Sequence, residues 1–140
     1  MREDAFPEYA NIVIDVYDLD AWINAETDGQ FESHDFDGGA AIIIRQDGSG
    51  CMLDYEAVGF AFNSIDDEAT IGVHKMPSRN EDGYMTISII ATHTISCTYR
   101  EIIENAPVKQ MTVDEFFRKR NYNDRCARNF AGIIEYFEDI

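Results

Sequence analysis

Basic residues are scarce in this chain, above all in its first half. The whole sequence has 11 Lys and Arg against 27 Asp and Glu, which gives a formal net charge of −16. Between residues 3 and 74 there are 17 acidic residues and a single basic one, Arg45. A field of this sign repels the phosphates of nucleic acids. The composition therefore predicts that the protein does not bind nucleic acid directly.

Cysteines are also few, and long apolar runs are missing. Cys51, Cys97 and Cys126 lie far apart and form no C-x-x-C motif, whereas a disulfide framework or a zinc cage needs paired or closely spaced thiols. The N-terminus lacks the apolar segment of a secretory signal, and no apolar run is long enough for a membrane span. These absences predict a cytoplasmic protein with reduced thiols and no membrane partner.

The sequence has little of what catalysis requires. It contains no G-x-S-x-G motif and no glycine-rich phosphate loop, and its histidines are only His34, His74 and His93. His34, Asp35 and Asp37 have a spacing that would suit a divalent metal, but the full calcium-loop pattern is absent. We therefore predict a non-enzymatic protein without a metal or cofactor. An enzyme that uses His34, His93 and carboxylates is a further alternative.

The remaining composition is that of a folded protein. Apolar residues make up 45% of the chain and aromatic residues 12%, which is more than an acidic disordered segment carries. A chain of 140 residues is the size of one domain and buries about two-thirds of its unfolded surface. The sequence thus predicts a single acidic domain over residues 1–140.

Strand patterns occupy most of the first hundred residues. Residues 12–17 are β-branched or aromatic, and residues 84–97 alternate between an apolar set and a mostly hydroxyl-bearing set. Residues 40–62 predict a hairpin around the turn sequence DGSG, and residues 69–76 predict another strand. Residues 28–39 read as a loop. The alternation predicts an antiparallel sheet with one solvent-facing side.

Helix signals are concentrated at the C-terminal end. Thr112 and Glu115 have the spacing of a capping box, and residues 124–137 place Phe130, Ile134 and Phe137 on one helical face. Residues 18–27 predict either a short helix capped by an aspartate or a continued strand. Strands followed by helices predict an α+β fold, with an antiparallel sheet of about five strands and two C-terminal helices packed on one face.

The segment from residue 11 to residue 39 holds eight acidic residues and no Lys or Arg. Sixteen excess charges correspond to about 27 Å of duplex DNA, and a compact domain of this length is about 35–40 Å wide. Such a surface would attract the basic face of a nuclease, a nucleic-acid-binding effector or a toxin. The candidate partner-binding residues are Asp15, Asp18, Asp20, Glu26, Asp28, Glu32, Asp35 and Asp37.

These observations predict an acidic inhibitor, of the DNA-mimic kind that phages and plasmids use against host defence or of the toxin-neutralising immunity kind. One alternative is a protein that binds a small anionic ligand such as a nucleotide through its basic C-terminal helices. Another is an acidic domain whose charge serves only solubility. The candidate anion-binding residues are Arg118, Lys119, Arg120, Arg125 and Arg128.

Overall fold

A computed structural model describes residues 8–36, 39–75, 78–79, 85–86, 93–118 and 129–139. Its strands in chain order are β1 Val13–Tyr17, β2 Phe31–Ser33, β3 Ala40–Ile44, β4 Gly50–Leu53, β5 Gly59–Phe62, β6 Glu68–Lys75, β7 Ser78–Arg79, β8 Met85–Thr86, β9 His93–Thr98 and β10 Val108–Thr112. Its helices are α1 Leu19–Glu26, α2 Tyr99–Asn105, α3 Val113–Arg118 and α4 Ile134–Glu138. The fold is α+β, as the sequence predicts.

The strands form three antiparallel sheets. The largest has five strands in the order β10-β1-β3-β4-β5, and the second has three in the order β2-β6-β9. Strands β7 and β8 pair with each other. In the five-stranded sheet, β3 and β4 form the predicted hairpin, with Ile43 opposite Cys51.

The central strands of the five-stranded sheet are covered on both faces, whereas its edge strands β5 and β10 are mostly exposed. Ile14 and Val16 of β1 point to one face, where they pack with α3, α4 and Phe130. Tyr17 and Ile42 point to the other face, where they pack with α1, α2 and the three-stranded sheet. The molecule therefore has three layers, and each face of the central sheet has its own hydrophobic cluster.

The prediction of one solvent-facing side is thus wrong for the five-stranded sheet. Strand β3 has the sequence AAIII, and its first four residues are all buried. An uninterrupted apolar strand is typical of a sheet covered on both faces. The three-stranded sheet does have an exposed face, because buried and more exposed positions alternate along β6. Residues 51–62 also differ from the prediction, since they form two strands, β4 and β5, instead of one.

The two C-terminal helices pack on one face, as predicted. Helix α3 begins with a capping box in which Glu115 N–H donates to Thr112 Oγ1 at 3.1 Å and Thr112 N–H donates to Glu115 Oε1 at 3.3 Å. The second predicted helix is interrupted, because residues 132 and 133 form a turn before α4 begins at Ile134. Phe130, Ile134 and Phe137 are all buried against the sheet.

The predicted strand at 84–97 lies only partly within the described residues. Strand β9 covers residues 93–98, where Cys97 is buried and Ile95 half-buried while Thr94 and Ser96 are exposed. The alternation is therefore confirmed for residues 94–97 but not for His93, which belongs to the predicted apolar set; residues 84 and 87–92 lie outside the described residues. His93 is exposed and packs edge-on against Phe31, with ring centroids 5.1 Å apart.

Several short elements were not predicted. Strand β2 lies within the segment interpreted as a loop, and α2 and β10 fill the region between β9 and α3. Strands β2 and β10 gain their stability from partners distant in sequence, since β2 pairs with β6 and β10 pairs with β1, whereas α2 begins with a local capping box of Thr98 and Glu101. The helices within the described ranges are all too short or too polar to cross a lipid bilayer.

Phe130 gives a direct test of the C-terminal packing. Its side chain is 0% exposed, and its ring lies 5.5 Å from that of Phe117 and 5.2 Å from that of Phe137. We expect Phe130→Ala to lower the free energy of unfolding by about 3–5 kcal/mol in urea denaturation. Phe60→Ala is the matched control, because Phe60 is 43% exposed and should cost much less. Equal losses in the two variants would contradict this packing.

Candidate functional site

Helix α1 and strand β2 form a compact unit, residues 18–36, which we call the α1–β2 unit. Asp18 caps α1 by accepting a hydrogen bond from Ala21 N–H at 2.9 Å. After the helix, Asp28 and Gly29 adopt positive φ angles of 53° and 82°, which reverse the chain into β2. The helix rises about 12 Å over its eight residues. The predicted partner-binding residues from Asp18 to Asp35 all lie on this unit.

Four of the predicted residues have structural partners. Asp15 accepts a hydrogen bond from Gln110 Nε2 at 3.2 Å, and Asp18 caps α1. Asp20 accepts from Ser33 N–H at 3.0 Å and from Ser33 Oγ at 2.6 Å, which ties the start of α1 to the end of β2. Glu32 contacts His74. These carboxylates stabilise the local structure, and of the four only Asp18 is exposed.

Three others have free carboxylates. Glu26, Asp28 and Asp35 are exposed, and their carboxylates form no hydrogen bond or ion pair with a described residue. We call them the free acids. Asp37 lies outside the described residues. The sequence-based set thus divides into residues that maintain the α1–β2 unit and residues that are available at its surface.

The two arginines whose side chains the structure describes, Arg45 and Arg100, pair with acids other than the free acids. Arg45 Nε lies 3.4 Å from an Asp139 carboxylate oxygen, and Arg100 Nε lies 2.7 Å from one of Asp66. Lys109 lines a cavity together with Asp18 and Asp20, at the other end of the α1–β2 unit from Glu26. The predicted anion-binding cluster remains untested, because the side chains of Arg118, Lys119, Arg120, Arg125 and Arg128 lie outside the described part of the structure.

A cavity of about 450 Å³ opens between the end of the α1–β2 unit and the β4–β5 loop. Its polar lining includes His34, Asp35, Asp54 and Glu56, and its apolar lining includes Phe60. Burial raises the pKa of Asp54, and the nearby charges of Glu56 and Asp35 add to this effect. The cavity is therefore rich in carboxylates and adjoins one of the free acids.

Asp54 also holds the β4–β5 loop in shape. One oxygen, Oδ1, accepts hydrogen bonds from Glu56 N–H at 2.8 Å and from Val58 N–H at 3.0 Å. Between them, Ala57 has a φ angle of 61°, which is unfavourable for a residue other than glycine. Asn129 Nδ2 donates to the Glu56 carbonyl at 3.0 Å from the C-terminal segment. These contacts fix the far wall of the cavity.

Two histidines and a glutamate form a hydrogen-bonded chain beside this cavity, which we call the Glu32–His74–His34 chain. His74 Nε2 lies 2.8 Å from Glu32 Oε1, and His74 Nδ1 lies 3.2 Å from His34 Nδ1. Glu32 and His74 are directly opposite each other in the β2–β6 pairing. The two rings are nearly perpendicular, at 88°. Paired side chains on adjacent strands therefore position His34 at the cavity.

Among the described residues, neither Cys51 nor Cys97 is a reactive thiol, and Cys126 lies outside them. Burial raises the pKa of Cys51 to about 12 and that of Cys97 to about 11, so both thiols are protonated at neutral pH and poor nucleophiles. Within the described ranges, no three His, Cys, Asp or Glu side chains are arranged to hold a metal ion. Because Asp37 is not described, the absence of a site at His34, Asp35 and Asp37 stays a prediction.

Sequence reasoning missed the roles of His74, Asp54 and Glu56. His74 and Glu32 are 42 residues apart, and only the pairing of β2 with β6 brings them together. A signal for Asp54 was present, since Asp at the first position of a turn accepts hydrogen bonds from backbone N–H groups further along.

No family model, curated protein or solved structure matches this chain.

Replacing Asp20 and Asp35 in turn tests the division between structural acids and surface acids. Ser33 is 1% exposed, and it would lose the acceptor for both its N–H and its hydroxyl in Asp20→Ala. We expect a loss of about 1–3 kcal/mol in the free energy of unfolding, measured in urea. Asp35→Ala, at an exposed free acid, should change it by no more than about 0.5 kcal/mol. A stable Asp20→Ala variant would show that the link from α1 to β2 is unimportant.

Asp54 should make stability depend on pH. Its pKa lies above the ordinary value of 3.8, so the folded protein binds this proton at a higher pH than the unfolded chain does. Its contribution to stability is therefore full below pH 3.8 and is lost as the pH rises through the folded pKa. Asp54→Asn keeps the Oδ1 acceptor without the charge, so it should be more stable than wild type at pH 7.

The stability difference between Asp54→Asn and wild type should shrink as the pH falls from 7 to 4, as measured by urea denaturation at each pH. Asp54→Ala is the control, because it loses both hydrogen bonds to the loop and should be less stable than Asp54→Asn at every pH. A difference between Asp54→Asn and wild type that does not change with pH would contradict the assignment.

Proposed function

We propose that this protein is a non-enzymatic inhibitor whose α1–β2 unit binds the basic, nucleic-acid-binding surface of a protein partner. The observation that carries the proposal is the density of acidic charge in this region. Residues 8–36 contain eight acidic residues and no basic one, and the ion pairs of Arg45 and Arg100 are made with acids elsewhere in the chain. Such a surface attracts a positively charged one and speeds its association.

The rigidity of the α1–β2 unit also supports binding. Leu19 and Ile23 anchor α1 in the core with exposures of 0% and 1%, and Asp20 ties the helix to β2. Carboxylates at Glu26, Asp28 and Asp35 are thus attached to an ordered backbone. Binding through them loses less conformational entropy than binding through a disordered acidic tail.

The partner class follows from the charge. A surface that repels phosphates and attracts Lys and Arg fits a nuclease, a nucleic-acid-binding effector or a basic toxin. This matches the chemistry of DNA-mimic anti-defence proteins and of immunity proteins, both of which block a basic partner without a reaction. We expect the protein to act in the cytoplasm, where such partners meet nucleic acid.

Displacement of DNA tests the proposal. Purified nucleases and nucleic-acid-binding effectors from defence and toxin systems would be loaded with a fluorescent DNA duplex, and the loss of anisotropy would be followed as this protein is added. We expect displacement from a specific partner at near-equimolar concentration. The triple variant Glu26→Gln, Asp28→Asn, Asp35→Asn should weaken it by about tenfold or more, chiefly through slower association and with a smaller dependence on salt.

The control variant changes the same charge at other positions. Glu8, Glu104 and Glu135 are exposed acids outside the α1–β2 unit, and their replacement by Gln removes three negative charges as well. We expect this variant to displace DNA nearly as well as wild type. Equal weakening of both triple variants would mean that only net charge matters. The anion-ligand alternative would be favoured if neither triple variant changed the displacement of DNA, but replacement of Arg118, Lys119 and Arg120 abolished it.

A further inference from the structure

We propose that the Glu32–His74–His34 chain is a proton-operated latch that holds residues 34–36, and with them the carboxylate of Asp35, against the three-stranded sheet. The latch itself follows from the hydrogen bonds of these side chains. Its effect on partner binding rests on the proposed function. His34 and His74 themselves take no part in the charge argument, whereas Asp35 belongs to both.

The neutral state of the chain has only one consistent arrangement of hydrogens. A carboxylate only accepts, so His74 Nε2 must carry the hydrogen that faces Glu32 Oε1 at 2.8 Å. In a neutral imidazole the other nitrogen is then an acceptor, so His74 Nδ1 accepts from His34 Nδ1–H at 3.2 Å. His34 is therefore fixed as the Nδ1–H tautomer, and its Nε2 carries a lone pair.

One added proton is compatible with this arrangement. If it enters at His34 Nε2, the Nδ1 hydrogen of His34 can pass to His74 Nδ1, which leaves His74 with hydrogens on both nitrogens. His74 then donates to Glu32 and to His34 Nδ1, so both hydrogen bonds persist. The single positive charge is paired with the Glu32 carboxylate, whose side chain is 29% exposed.

A second proton is not compatible. Both Nδ1 atoms would then carry a hydrogen, and they face each other at 3.2 Å with no acceptor between them. Two positive rings whose centroids lie 5.3 Å apart also repel each other. The contact between the rings must therefore open when both histidines are protonated.

Opening would release the chain segment that follows β2. His34 N–H donates to the Gly72 carbonyl at 2.9 Å, which continues the β2–β6 pairing by one residue beyond Ser33. Phe36, which is 2% exposed, anchors the other side of Asp35 in the core. The contacts of His34 therefore fix the N-terminal side of Asp35, and their loss would free that side.

The charged groups around the chain come from several elements. Glu32 lies on β2, Lys75 follows His74 on β6, and Asp35 follows His34 in sequence. Asp54 and Glu56 line the same cavity as His34 from the β4–β5 loop. His93, on the neighbouring strand β9, packs against Phe31 and is not part of the chain. It is therefore the natural control histidine.

Nuclear magnetic resonance on the full 140-residue protein tests the latch without any partner. Long-range proton–nitrogen spectra at pH 7.5 should give the Nδ1–H tautomer for His34 and the Nε2–H tautomer for His74. Between pH 7.5 and pH 4.5, the His34 amide should lose about tenfold or more of its protection from hydrogen exchange, after correction for the intrinsic rate. Amides of the five-stranded sheet should keep theirs.

His34→Asn is the informative variant. An asparagine side chain can donate to His74 Nδ1 or accept from it, so the contact should survive at both pH values and the loss of protection at residue 34 should disappear. His93→Asn removes the unrelated histidine and should behave as wild type. The Nε2–H tautomer of His34 at pH 7.5, or equal loss of protection in wild type and His34→Asn, would overturn the latch.

A decaarginine peptide tests the link to binding, at constant ionic strength. Wild type should lose more affinity between pH 7.5 and pH 4.5 than His34→Asn does, by about tenfold. If the latch opens but the two proteins lose equal affinity, the link to partner binding is wrong. If the latch stays closed at pH 4.5 but the triple variant of the free acids displaces DNA less well than wild type, the proposed function stands and the latch is wrong.

Discussion

The burial of β3 on both faces is the constraint on which the rest of the structure depends. Because AAIII has no polar residue, each face of this central strand must be covered by another layer. The C-terminal helices cover one face, and α1, α2 and the three-stranded sheet cover the other. The α1–β2 unit thus has two roles: its inner side covers the central sheet, and its outer side carries the acidic residues. Leu19, Trp22 and Ile23 fix its inner side, which leaves its acids at the outer side.

The fold tolerates its concentration of like charge because several of the acids also accept hydrogen bonds that stabilise it. A carboxylate that accepts a hydrogen bond from a backbone N–H or a hydroxyl recovers part of the energy that repulsion costs, as Asp18 and Asp20 do in the α1–β2 unit. Asp54 does the same in the β4–β5 loop. Of the described candidates, only Glu26, Asp28 and Asp35 contribute charge without a hydrogen bond or ion pair to a described residue. The fold itself does not explain why these three residues are acidic.

Local patterns in the sequence predicted several of the elements that depend on local interactions, but not α2, although its capping box of Thr98 and Glu101 has the same spacing as that of Thr112 and Glu115. The capping box of Thr112 and Glu115 and the apolar face of Phe130 and Phe137 predicted the C-terminal helices, and alternation predicted β9. Strands β2 and β10 were missed because a short strand is stabilised by its distant neighbour. The division of the acids into structural and free ones was missed for the same reason: whether Asp20 reaches Ser33 depends on the packing of α1 on β2, which no spacing in the sequence encodes.

The two hydrophobic clusters lie on opposite faces of the central sheet, and this has a consequence for how the protein can evolve. The buried residues that hold the C-terminal helices belong to one cluster, and those that hold the α1–β2 unit belong to the other. Changes in α4 can therefore adjust the overall stability of the chain while the outline of the acidic surface stays the same. Surface charges of the α1–β2 unit can thus change position without a change in the core, so that the charge pattern can diverge faster than the fold.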